Sequence, residues 1–320
     1  MNPNSGATIR ADINVKIEEA AGADTFFIGT RVMPPFGVAA KSGTYPKIQI
    51  AAGELMSQGG EVRSRGGSYG ETSRQWTSDT YDCLDRGLEE PVDDTDQKDL
   101  SRYFNLEVSS AKWVLRNMMF GHEVRVAAAI LNATNFGAGT NSAVAYTEAN
   151  LATISFVADI LAAIERCRDN GVNPNTILMG STVYNRIRRG TLVVNFVASQ
   201  VGKGASVTAN SIADAFADEG ITQCLVGKAR YNSAKKGQAK SMTNVWGNTY
   251  IWVGNVSPNA GAMQDGGAGF TLYWNQEGGL FVSETYRDEK RRSNIVRVRQ
   301  NTAEKIVDGT AGTLITTQYS

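Results

Sequence analysis

Hydrophobic residues in the region 96–131 recur every three to four positions, which is the spacing of one face of an α-helix. The acidic block 88–94 precedes them, and negative charge at a helix start complements the exposed amide groups there. We therefore expect one helix of about 35 residues, or about 50 Å at 1.5 Å per residue. The apolar positions of this helix are Leu100, Phe104, Val108, Ala111, Leu115, Met118, Val126 and Ile130.

A long β-hairpin is predicted for residues 37–80. Apolar and polar residues alternate over 45–50, as in a strand with one buried face, and the return strand is expected near 72–82. The tip, 58–70, is rich in glycine and polar residues. Because a hairpin with little apolar cover is marginal by itself, we expect it to lie on a neighbouring molecule.

Residues 1–36 are predicted to form an arm with a short helix at 13–21, and Pro34 and Pro35 are expected to end its regular structure. A second amphipathic helix is expected over 148–168. The remainder predicts an α/β lobe and then returning strands near 296–299, 306–307 and 314–315. In the lobe we expect strands at 176–180, 224–227 and 250–254, helices at 181–189 and 210–216, and a hairpin of 270–274 with 280–283.

Composition narrows the functional classes. The chain has 320 residues with 32 basic and 32 acidic side chains, and this balance argues against a dedicated nucleic-acid binder. Three scattered cysteines without a CxxC pair indicate reduced thiols in a cytosol-type compartment. No apolar run reaches about 18 residues, so no membrane span is predicted.

Candidate catalytic chemistry is sparse. His122 is the only histidine, and any Cys–His pair would have to use it. Its position on the predicted helix favours a packing or surface role. Metal-binding patterns such as CxxC and HExxH are absent, so we predict no metal, cofactor or catalytic residues.

Two groups of charged residues are better candidates for contacts with other molecules. The acidic block could act as an acid–base pair or bind a cation, but no neighbour in the sequence would shift its pKa values, which favours a solvated cluster or a basic partner. The tip resembles a short RGG element, for which salt bridges to a partner are favoured over nucleic-acid contact. The candidate inter-subunit contact residues are Arg63, Arg65, Glu89, Glu90, Asp93 and Asp94.

The order of these parts resembles the major capsid proteins of tailed phages, which have the Hong Kong 97-like shell fold. The likeness covers about residues 30 to 310 and is carried by the joint order of the parts rather than by one motif. The segments that carry it are 46–48, Tyr81 with 88–94, 125–127, 132–136, 174–179, 245–247 and 284–289.

The resemblance implies an α+β fold with four regions: an N-terminal arm (1–36), an extended hairpin loop (37–80), a peripheral domain with a long spine helix (81–171 plus 285–320), and an α/β axial domain (172–284). In a shell, the hairpin would lie across an adjacent subunit. The axial domain would meet its copies around the five-fold and six-fold axes.

The resemblance also implies a function. The chain would be a structural protein and not an enzyme, assembling as pentamers and hexamers into an icosahedral virion capsid in the host cytoplasm. The shell would enclose double-stranded DNA without sequence-specific binding. A portal is an expected partner, and a decoration protein is a further candidate. Because only about 30 residues precede the hairpin, the resemblance implies either a separate scaffolding protein or an already trimmed form of the chain. The alternatives are an encapsulin-type compartment around an enzyme cargo, and an α/β enzyme.

Overall fold

The computed structural model describes residues 8–9, 13, 15–16, 26–47, 63, 65–68, 77–103, 105–137, 139–202, 204, 206–235, 237–258 and 267–320. These residues form a mixed fold of helices and sheets, which confirms the predicted α+β class. The strands are β1 Thr8–Ile9, β2 Pro35–Val38, β3 Ser42–Lys47, β4 Thr77–Asp82, β5 Leu84–Asp93, β6 Thr140–Asn141, β7 Thr176–Gly180, β8 Gln223–Gly227, β9 Arg230–Asn232, β10 Met242–Asn244, β11 Tyr250–Gly254, β12 Gly269–Trp274, β13 Val282–Asp288, β14 Ser293–Ile306 and β15 Gly312–Thr316. The helices are α1 Gly29–Val32, α2 Asp94–Leu100, α3 Leu106–Ile130, α4 Ala133–Phe136, α5 Phe156–Asp169, α6 Ser181–Ile187, α7 Thr191–Gln200 and α8 Ala209–Ala215.

The first sheet is organised by β14, a strand of 14 residues. Along one edge of β14 lie β13 and β12, end to end and both antiparallel to it, and along the other edge lies β5. β1 extends the sheet beyond β13, and β2 extends it beyond β12 in a parallel pairing. A single long strand therefore gathers segments from distant parts of the sequence.

The predicted helix start at the end of the acidic block is confirmed, since helix α2 begins at Asp94. It is capped by the Asp93 side chain, which accepts a hydrogen bond from Thr95 N at 2.7 Å. The sequence did not indicate that residues 88–93 belong to β5, which pairs with β14 from Leu84 to Asp93. Pro91 is tolerated because β5 is an edge strand, with β14 as its partner among the described strands.

The single predicted helix is in fact two. α2 ends at Leu100, and α3 starts anew after Asn105, whose side chain accepts from Val108 N at 3.2 Å. α3 has 25 residues and is about 37 Å long. Five of the predicted apolar positions are buried in α3: Ala111, Leu115, Met118, Val126 and Ile130.

α3 joins two hydrophobic cores. Its first half packs Leu115 and Met118 against Val296 of β14 and against β5. Its second half packs Ile130 and its neighbours against Leu178 of a second sheet. The helix is thus a strut that both sheets share.

The second sheet has the strand order β6-β15-β11-β7-β8, in which β7 and β8 are parallel. Side chains alternate across it: Ile177 and Met179 face α5–α8, whereas Leu178 faces α3. The strands predicted at 176–180 and 250–254 are confirmed, since both are continuous apolar runs covered on two faces.

Several boundaries differ from expectation. The second predicted helix is shorter, starting at Phe156, because the preceding segment forms turns.

The predicted hairpin of 270–274 with 280–283 is wrong, because β12 and β13 pair with β14 and not with each other. The predicted boundary at residue 284 therefore falls inside β13. Regular structure resumes at Pro35, the first residue of β2, a position that proline tolerates.

The base of the predicted long hairpin is confirmed by the antiparallel pairing of β3 with β4. Tyr45 anchors it to the first sheet, since its hydroxyl donates to the Ile306 carbonyl at 3.1 Å. The strand residues 48–50, most of the tip, and most of the helix predicted at 13–21 lie outside the described residues.

Candidate subunit-contact surfaces

Glu89 of β5 is paired within its own chain. It stands opposite Arg297 of β14, whose Nε donates to Glu89 Oε1 at 2.6 Å, and the Tyr286 hydroxyl donates to Oε2 at 3.2 Å. The Arg297 guanidinium also lies over the Tyr286 ring. Burial works to lower the pKa of Arg297, but the hydrogen bonds to Glu89 and Tyr286 outweigh it and raise that pKa. Glu89 therefore helps to fasten β5 to the first sheet.

Asp94 forms a two-pronged ion pair with Arg287 of β13, with N–O distances of 2.5 and 2.7 Å. The hydrogen bonds from Arg287 hold the pKa of Asp94 below its usual value, and the same bonds raise the pKa of Arg287. The pair ties the start of α2 to β13. The Asp94 carboxylate is therefore neutralised within its own chain, without a neighbouring subunit.

The other two acids differ from each other. Asp93 is the cap of α2, and the Thr95 backbone amide lowers the pKa of its carboxyl. Glu90 is half-buried, and its Oε2 is buried without a hydrogen-bond partner among the described residues. Glu90 is therefore the acid of the block with the strongest need for an outside donor.

Arg63 and Arg65 lie in the described part of the hairpin tip, and both side chains are exposed. Arg63 Nε donates to the Gly67 carbonyl within the tip. Their role in contacting a neighbouring subunit stays a prediction, as does that of the four acids.

A groove of about 460 Å³ crosses the surface where β5 meets β14. Its walls combine charged and apolar groups, including Asp85, Leu88, Glu89 and Arg299. Leu84 and Leu88 of β5 are about half exposed, at 51% and 46%. The face of β5 thus offers a mixed surface suited to a protein partner.

Sequence reasoning missed a buried carboxylate in the middle of α3. Glu123 is fully buried and accepts hydrogen bonds from Ile28 N at 3.1 Å, Gly29 N at 2.6 Å and Trp246 Nε1. A Cβ at Gly29 would come within 2.7 Å of the Glu123 carboxylate, so only glycine allows this approach. The only sign of this buried carboxylate in the sequence is that Glu123 is a single acid among apolar positions of the predicted helix.

His122 is buried beside Glu123, with Nε2 3.0 Å from Thr271 Oγ1 and 4.0 Å from Glu304 Oε1. Burial lowers its pKa to about 4, although Glu304 acts in the opposite direction. Arg125 neutralises Glu304 through a 3.0 Å ion pair. The side chain is a neutral packing histidine, in line with the role favoured from the sequence.

The cysteines are also buried, and burial raises the pKa of Cys83 to about 11 and those of Cys167 and Cys224 to about 12. The thiols are thus protonated and weakly nucleophilic at neutral pH. Within the part of the chain that the structure describes, no group of three or more His, Cys, Asp or Glu side chains is arranged to hold a metal ion. None of the described helices combines the length and apolar character needed to cross a bilayer.

No family model and no curated protein matches this sequence. Solved structures do match its fold. A phage-related protein from Bordetella bronchiseptica has a TM-score of 0.72 at 20% identity, with 98% of each chain covered.

Two further structures share the fold at lower similarity. The capsid of the cyanophage P-SCSP1u gives a TM-score of 0.57 at 12% identity, covering 90% of this chain and 86% of the other. An encapsulin complex from Synechococcus elongatus gives 0.52 at 12% identity, again covering 90% and 86%. These similarities confirm the predicted Hong Kong 97-like fold over nearly the whole chain.

Proposed function

We propose that this chain, with the fold of the capsid proteins, is a major capsid protein of a tailed phage. It self-assembles into an icosahedral shell around packaged double-stranded DNA. The observation that carries the proposal is the extent of the structural similarity to a phage capsid, which covers 90% of this chain rather than one part of it.

The geometry of the described parts suits a shell subunit. The proposed peripheral domain, 81–171 plus 285–320, contains β5, α3, α5 and β14, and the proposed axial domain, 172–284, contains β7, β8, β11 and α6–α8. The β3–β4 ribbon extends from the first sheet toward a neighbouring subunit. Modest contacts of this kind add up when each subunit makes many of them. Heterologous contacts that close on themselves give pentamers and hexamers.

The charge balance suits a container wall. A protein that neutralised many phosphates would hold DNA tightly and in a salt-dependent manner, which would impede packaging and release. With equal numbers of basic and acidic residues, this chain encloses DNA without clamping it. A portal and a separate scaffolding protein complete the proposed set of partners, and the particle is assembled in the host cytoplasm.

The test is to express the chain, alone and with a scaffolding protein, and to examine the products by electron microscopy. We expect closed icosahedral shells or rings of five and six subunits. Particles from infected or induced cells should protect DNA from nuclease. A chain that stays monomeric or dimeric with scaffolding supplied contradicts the proposal.

The second candidate is an encapsulin-type compartment, which the similarity to an encapsulin favours. The fold is common to both, so the contents of the particle decide between them. A co-purifying enzyme inside shells that lack protected DNA would support the compartment. Protected DNA of uniform length would support the capsid.

A further inference from the structure

Helix α7 exposes apolar side chains on the outside of the second sheet. Val194, Ala198 and Val201 follow one flank at helical spacing, and Leu192 lies on the other flank. Leu192, Val194 and Val201 are 49%, 38% and 42% exposed. Charged residues make up 20% of the chain, yet residues 190–202 contain none. We call Val194, Ala198 and Val201, which share one flank, the ridge.

An uncharged groove of about 320 Å³ lies between the second half of α3 and the strands β9–β11. Val124 and Ala128 form its helical wall, and Tyr231, Val245 and Tyr250 form the other wall. Val124 and Tyr231 are 39% and 38% exposed. None of its described lining residues carries a charge.

The ridge and the groove lie on opposite faces of the second sheet. The buried side of α7, Val193 and Val197, packs in the core that contains Ile177 and Met179. The groove lies beside α3, which packs on the opposite face through Leu178. Since the sheet separates them, the two surfaces cannot meet within one chain. A heterologous ring requires two different surfaces of this kind on each subunit.

We propose that the ridge of one copy packs into the groove of the next, and that this contact closes the ring of subunits. The occupant of the groove is thus a second copy of this chain. Both surfaces lack charge, so their union desolvates no unpaired ion. The inference rests on the proposed shell function and assigns the surfaces that join subunits within a ring.

Cross-linking tests the contact directly. Ala128 is exposed in the groove wall and Val194 on the ridge, and the three native cysteines are buried. Particles of the Ala128→Cys/Val194→Cys double variant are treated with a short bis-maleimide and separated on a denaturing gel. We expect a ladder of covalent oligomers that stops at five or six copies. Each single-cysteine variant should give no ladder, and particles of the double variant that yield only monomers overturn the proposal.

Charge substitution gives a second test. Val194→Glu should fold with an unchanged circular-dichroism spectrum but lose at least tenfold in yield of rings and shells. Leu161→Glu, at an exposed leucine of α5 outside the ridge, is the matched control and should assemble normally. Normal assembly of Val194→Glu overturns the contact. The contact is also overturned if Ala128→Glu does not assemble while Val194→Glu assembles normally, since the groove would then be covered by another segment, such as the arm.

The outcomes separate this contact from the function on which it rests. A wild-type chain that never assembles contradicts the shell function and, with it, the contact. A wild-type chain that assembles while either test fails contradicts the contact alone.

Discussion

Glu123 holds three segments of the chain together from the middle of α3. Its carboxylate accepts hydrogen bonds from the backbone amides of Ile28 and Gly29 at the start of α1 and from the indole N–H of Trp246. A buried donor that loses its acceptor costs about 1–3 kcal/mol. The residue is therefore a main determinant of how the arm, the strut and the second sheet are joined.

Replacing Glu123 with leucine should lower the free energy of unfolding by about 3 kcal/mol or more, because three buried donors lose their acceptor. Denaturant unfolding of the unassembled subunit measures the change. Glu165→Leu on α5 removes an exposed carboxylate and should cost less than about 1 kcal/mol. Equal losses in the two variants would contradict the role of Glu123.

His122 makes the stability of the subunit depend on pH. Its pKa is about 4 in the folded chain and 6.5 as the reference value, so the unfolded chain binds the proton more readily. Its contribution is present above pH 6.5 and is lost as the pH falls toward 4. We expect a loss of about 2 kcal/mol between pH 7 and pH 5.

The control variant for His122 is chosen from the groups that surround its imidazole. Thr271, Glu304, Arg125 and Arg86 face or influence the imidazole, and Glu304 keeps its arginine partner in this range. His122→Gln keeps a side chain that can bond Thr271 and removes the titrating group. Its unfolding free energy should change little between pH 7 and pH 5. A slope equal to that of the wild type would assign the effect to other groups.

At the scale of elements, sequence patterns succeeded where the burial of a segment follows from its own residues. β7 and β11 are continuous apolar runs, and α3 carries a helical stripe, so all three were predictable. β5 was not, because its pairing depends on β14, where Arg297 neutralises Glu89. The pair Glu89–Arg297 is 208 residues apart in sequence, which no local pattern reports.

The candidate site was predictable only in part, for the same reason. Charge and exposure indicated the tip arginines and the acidic block. The structure shows that Glu89 and Asp94 already have partners within the chain, which sequence order alone could not indicate. The ridge and groove arise from faces of a folded sheet, so they became visible only with the topology.

The hairpin is the element whose contact role is most directly testable. Arg63→Glu/Arg65→Glu should impair assembly and leave the subunit folded, because charge reversal at an exposed tip repels an acidic neighbour. Particle yield by electron microscopy and the melting temperature are the measurements. Lys98→Glu/Arg102→Glu reverses the same number of exposed charges elsewhere and is the control. Normal shells from the tip variant would refute the contact.

At the scale of the whole molecule, two kinds of contact are proposed to build the shell. The tip contact is ionic, whereas the ridge and groove are apolar. High salt should weaken the ionic tip contact but not the apolar contact between ridge and groove. Raising the ionic strength from 0.15 to 1 M shortens the Debye length from about 8 to about 3 Å, which screens exposed charges.

We therefore expect shells in 1 M NaCl to dissociate into rings of five and six and not into single subunits. Sedimentation velocity and electron microscopy distinguish these products. Shells that fall apart directly into monomers would indicate that the ring contact is also ionic.

The central position of β14 has a consequence for synthesis of the protein. β5 leaves the ribosome about 200 residues before the strand that completes it, which at 5–20 residues per second is about 10–40 s. During this time the nascent chain carries an unpaired strand edge, which favours aggregation. A subunit should therefore become competent for the proposed assembly only after β14 has been synthesised.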